Sequence, residues 1–128
     1  MAAKLAFWAC NRYNRNRIVQ SRIVYIQEDL MSKYNGAAVG AFEADSYLVC
    51  CVAIDAAVKA ADVKVEGIER NRLKSGACVK LRGRISDVKA AMEAAEEAAK
   101  RLSPITKSVI IPSPTPDTEI MLEMTINK

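Results

Sequence analysis

Histidine is missing from all 128 residues. Its absence removes the commonest general base, the commonest metal ligand and every Ser-His or Cys-His nucleophile pair. Catalysis is therefore not expected, and neither a cofactor nor a metal site is indicated. No apolar run reaches the roughly 18 residues that a membrane span needs. The stretch Met1 to Asn11 is short for a signal peptide and lacks its small-residue cleavage pattern. A soluble, cytoplasmic protein with no membrane partner is the expectation. The four cysteines, Cys10, Cys50, Cys51 and Cys78, form no Cys-x-x-Cys pair, which favours reduced structural thiols over zinc ligation. Aromatics are only 5% of residues, so helices in this chain must pack through small side chains and close backbone approach.

About half of the chain is apolar, and its length suits one domain with one core. The net charge of +4 is unevenly placed: residues 1–36 hold Lys4, Arg12, Arg15, Arg17, Arg22 and Lys33 against Glu28 and Asp29, while the remainder balances at 13 positive and 13 negative. The segment 1–36 also differs in style, with apolar Leu5, Phe7 and Trp8, an Arg/Asn cluster from Asn11 to Arg17, a strand-like run from Ile18 to Ile26 and a short helical stretch from Gln27 to Tyr34 broken by Asn35-Gly36. It reads as a basic N-terminal extension, 1–36, ahead of a domain, 37–128. Phe7 and Trp8 beside the arginines suit docking on a cargo protein or acidic partner, or equally a solvated basic arm.

Within the domain, a strand from Ala38 to Ala44 leads to a helix capped by Ser46 and running to about Ala61. Its polar positions Asp55, Lys59 and Asp62 form a narrow stripe on a cylinder otherwise carrying Leu48, Val52, Ile54 and Val58. Such a helix is expected to be buried on most sides, which implies subunit contacts. Strands Val63 to Arg70 and Ala77 to Arg82 flank the basic turn Asn71-Arg72-Leu73-Lys74-Ser75-Gly76. The second alternates, with Ala77, Val79 and Leu81 on one face and Cys78, Lys80 and Arg82 on the other. Another helix is expected from an N-cap at Ser86, with Asp87 at its positive end, to about Leu102; its inner face is Val88, Met92, Ala95, Ala99 and Leu102. Lys107 to Ile111 supplies a last strand before Pro112-Ser113-Pro114-Thr115-Pro116, which is expected to be extended and outside the ladder. The order β-α-β-β-α-β is ferredoxin-like: a four-stranded antiparallel sheet with two helices on one face.

Specific residues then add a resemblance. Ala38-Val39-Gly40-Ala41-Phe42-Glu43, Asp55-Ala56-Ala57-Val58-Lys59-Ala60-Ala61-Asp62-Val63, Ser75-Gly76, Leu81-Arg82-Gly83 with Asp87-Val88-Lys89-Ala90-Ala91, and Val109-Ile110-Ile111-Pro112 resemble, in order, the motifs of bacterial microcompartment shell proteins over roughly 37–122. The resemblance implies a structural, non-catalytic subunit of a homo-hexamer that tiles with other shell proteins. It implies that Lys59 lies on the hexamer edge and that Asn71, Arg72, Leu73, Lys74, Ser75 and Gly76 line a central pore, where a ring of Arg72 and Lys74 would favour anionic metabolites. Encapsulated enzymes are candidate partners of the extension. Two departures stand out: Ser113 occupies a position where the family usually has arginine, and residues 1–36 have no counterpart in the plain pattern. The rival reading is a nucleic-acid-binding module built on the same superfold with a basic arm. It is disfavoured because strands Val63 to Arg70 and Ala77 to Arg82 carry no aromatic on which a base could stack.

Overall fold

The computed structural model describes residues 37–70 and 76–126. The expectations for residues 1–36, including the strand from Ile18 to Ile26 and the helix from Gln27 to Tyr34, lie outside them. Four strands form one sheet: β1 (Ala38–Ala44), β2 (Val63–Arg70), β3 (Ala77–Gly83) and β4 (Lys107–Ile111), in the order β2-β3-β1-β4 with every pair antiparallel. Helices α1 (Tyr47–Ala60) and α2 (Ile85–Ala99) connect β1 to β2 and β3 to β4. The expected β-α-β-β-α-β order is present, and a third helix, α3 (Pro116–Ile126), follows it.

The core lies between the sheet and the first two helices. Phe42, Val79 and Leu81 point into it from the strands, and Val49, Cys50, Ala53 and Ala57 of α1 meet Val88, Ala91, Met92, Ala95 and Ala99 of α2. Alanines on both helices permit the close approach that the poverty in aromatics demanded, and α1 packs directly on α2. Gly40 serves the same purpose on the sheet. A Cβ there would sit 2.9 Å from Val88 Cγ1 and 3.0 Å from Met92 Sδ, so α2 rests on bare backbone.

Several local expectations are corrected. Ser46 is the N-cap of α1, in extended conformation, yet its hydroxyl makes no capping bond. The N-cap of α2 is Arg84 rather than Ser86, which falls inside the first turn; Arg84 Nε donates instead to Asp87 Oδ2 at 2.7 Å. That helix ends at Ala99, three residues before Leu102, because Leu102 and Ser103 both donate to Ala99 O in a tightened last turn, leaving Leu102 61% exposed. Only one face of α1 is buried in the subunit, since Leu48, Val52 and Val58 are exposed.

The proline-rich segment lies outside the ladder as expected, but it bends at Pro112 and Ser113 and gives way to helix after Thr115. Pro116 occupies the first position of α3, where its missing N–H costs nothing, Thr115 Oγ1 accepts a bond from the Thr118 N–H, and Asp117 and Glu119 stand at the positive end of the helix dipole. This helix lies on the sheet face opposite α1 and α2, because its Glu119 and Thr125 meet Arg82 and Lys80, whose side chains alternate with the core-facing Val79 and Leu81 on β3.

Candidate functional site

The residues that bound the basic turn, Arg70 and Gly76, and the lysine on α1 are placed with respect to the same helix. Of the turn, only Gly76 belongs to the described residues; Asn71, Arg72, Leu73, Lys74 and Ser75 lie outside them. Gly76 is buried where β3 starts, and a Cβ there would come within 2.0 Å of Ala44 O. The turn is thus anchored by a backbone approach that only glycine permits. Its other end is held by Arg70, whose guanidinium lies 5.4 Å from the Tyr47 ring centroid, a cation–π distance. Tyr47 opens α1, so Arg70 and Gly76, the described residues that bound the turn, lie near the N-terminal end of that helix.

Lys59 sits in the last turn of α1. At about 1.5 Å of rise per residue, it is roughly 18 Å along the axis from Tyr47. Lys59 and the residues that bound the basic turn, Arg70 and Gly76, are therefore set toward opposite ends of α1. The Lys59 ammonium pairs with Asp55 one turn earlier, both side chains largely exposed, an arrangement that contributes little to stability. Alongside this pair runs an uncovered apolar row. Leu48 is 72% exposed, and Val52 lies four residues on, with Tyr47, Cys51 and Val58 exposed beside them. Exposed apolar residues on consecutive helical turns mark a surface that gains by being covered.

The opposite face of the sheet holds a cluster that sequence reasoning missed. Arg82 Nη1 and Nη2 donate to Glu119 Oε1 and Oε2 at 2.8 and 2.7 Å, a bidentate fork, and Arg82 Nε donates to Glu66 Oε1 at 2.7 Å. All three side chains are at least nine-tenths buried. Burial opposes the charge on Arg82, but its hydrogen bonds to Glu119 and Glu66 outweigh it and hold the guanidinium more firmly protonated than usual. Lys80 donates to Glu69 Oε1 at 2.8 Å and to Thr125 Oγ1. Glu66 reaches this face because a bulge between Val65 and Gly67 shifts the register of β2. Thr115-Pro116-Asp117 was the available signal for the helix that closes the cluster; no period in β2 announces the bulge.

Burial raises the thiol pKa of Cys50, which donates to Ala77 O, and likewise that of Cys78. Among the described residues no group of three or more acidic or cysteine side chains is arranged to hold a metal ion, and no helix is long and apolar enough to cross a membrane.

Comparison with known proteins gives two findings. The BMC domain family model matches residues 38–114. Among solved structures, a microcompartments protein from Desulfitobacterium hafniense DCB is 26% identical with a TM-score of 0.58, the match covering 68% of this chain and 47% of that one. The chain spans about half the length of that relative. No curated protein matches.

Proposed function

Since the chain belongs to the BMC domain family, we propose that it is a structural subunit of a bacterial microcompartment shell, working in the cytoplasm as a homo-hexameric tile beside other shell proteins. The turn 71–76 surrounds the six-fold axis and Lys59 meets the neighbouring tile at the rim. The observation that carries this reading is the separation of the two features along α1. In a ring, one end of each wedge must face the axis and the other the perimeter; the placing of Arg70, which precedes the turn, and of Lys59 at opposite ends of α1 supports that assignment. The exposed row from Leu48 to Val58 supplies apolar surface for subunit contacts.

A ring of Arg72 and Lys74 repeated six times would carry a positive potential reinforced by symmetry, favouring passage of small anionic metabolites. Residues 1–36 form a separate basic extension that reaches encapsulated enzymes. The role is structural rather than catalytic.

Electron microscopy of the full-length chain tests the arrangement. Rings with six-fold symmetry are expected, with the turn on the axis, and Lys59→Glu should leave those rings intact while removing any sheets or tubes they build. If the unaltered chain forms rings but no sheets, Ser113→Arg should produce them by restoring the guanidinium that usually stands there. Rings in which Lys59 faces the axis, or sheets untouched by Lys59→Glu, would refute the assignment of the edge.

A further inference from the structure

Helix α3 is attached to the sheet by different means from the other two helices. Among the described residues of the helix, Leu122 is the apolar one almost wholly covered, Ile120 is half-buried, and Met121 and Met124 face outward. The remaining attachments are polar: the Arg82–Glu119 fork, and Lys80 donating to Thr125, whose own hydroxyl donates to Leu122 O at 2.9 Å. The surface beneath the helix therefore combines a pair of cations flanked by Glu66 and Glu69 with the fully buried Val39, the β1 partner of Arg82.

Two features oppose docking. The cluster gathers three carboxylates, Glu66, Glu69 and Glu119, around two cations, and Glu66 Oε2 is buried with no hydrogen-bond partner. Lifting the helix would uncover Leu122 and Val39, and would hydrate that oxygen and all five charges in return. An 11-residue helix is also too short to persist alone in water, so release means local unfolding behind the stiff Pro112–Pro116 segment.

We infer that α3 is a releasable cover on the outer sheet face: it detaches as a unit from an intact domain, the Arg82–Glu119 fork sets how often it does so, and its release presents Arg82 and Lys80 as a solvated cationic pair.

Amide hydrogen exchange of the full-length chain, read by mass spectrometry, tests this. Amides of residues 119–126 should exchange at least about 100-fold faster than those of β1 and β3, as expected of a local opening. Glu119→Gln should speed exchange of that segment about 10- to 100-fold further, the range for loss of a hydrogen bond between charged groups, with β1 and β3 unchanged. Thr125→Val, which removes the Lys80 contact, should do the same to a smaller degree, and Met121→Ser should do nothing. Exchange of α3 at the same rate as β3 would overturn the inference, as would a Glu119→Gln chain whose core amides accelerate with the helix or whose helix is unchanged.

Discussion

The two faces of the sheet are built on opposite principles. Toward α1 and α2, the strand residues buried in the core are apolar or glycine, the polar Arg70 and Ser108 lie at its margin, and stability comes from removing the apolar surface from water. Toward α3, β3 presents Lys80 and Arg82, so burial there combines the apolar pair Val39 and Leu122 with neutralised charge, and one carboxylate oxygen is left unpartnered. The first kind of burial is cooperative and hard to undo locally. In the second, desolvation offsets much of the attraction between charges, so an element so attached contributes less to global stability than its buried contacts suggest.

The largest effect should come from breaking the apolar face. Phe42→Ala, at a fully buried position central to the core, is expected to cost about 3–5 kcal/mol, read from the urea midpoint. Overfilling the same face should cost less: Gly40→Val forces a side chain against Val88 and Met92, and about 1–3 kcal/mol is expected because those two side chains can partly yield. The polar face should respond in the reverse sense. Replacing the whole triad, with Arg82→Met, Glu66→Leu and Glu119→Leu together, should leave the unfolding midpoint unchanged or raise it by about 1–4 kcal/mol of stability, and should slow exchange in α3. A large loss of stability would show that the charges hold the domain together.

This contrast also explains what the sequence disclosed. The bounds of β1, β2 and β4 were legible from β-branched runs and their breaks, and the inner face of α2 from residues Val88, Met92, Ala95 and Ala99 at helical spacing, because apolar burial leaves a periodic trace. Lys80 and Arg82 were correctly set on the face away from the core, but a charged residue reads as solvated whether or not a helix lies over it. Nothing local distinguishes Glu66, delivered by a bulge, from any exposed glutamate. The extent of α2 was overestimated because Leu102 continues the apolar spacing past the point where the backbone tightens at Ala99. Lys59 was found on α1 where expected, whereas the turn residues 71–75 fall outside the described structure.

The smallest effects should appear in thiol chemistry. In a Cys10→Ser background with subunits dissociated, Cys51, exposed in the single subunit, should alkylate first, and Cys78 more slowly because burial both shields it and raises its thiol pKa. Cys50 should stay unmodified until the domain unfolds. Since a raised pKa leaves less thiolate at a given pH, the Cys78 rate should still be climbing at pH values above its ordinary range. Rapid labelling of Cys50 in the native protein would mean that the apolar face opens as readily as the polar one.

The proposal that this chain is a tile of a closed ring is tested most directly by its native mass. Native mass spectrometry of the full-length chain should give a dominant species at six times the 14.0 kDa of one chain. A clean monomer, above all one carrying bound nucleic acid, would contradict it.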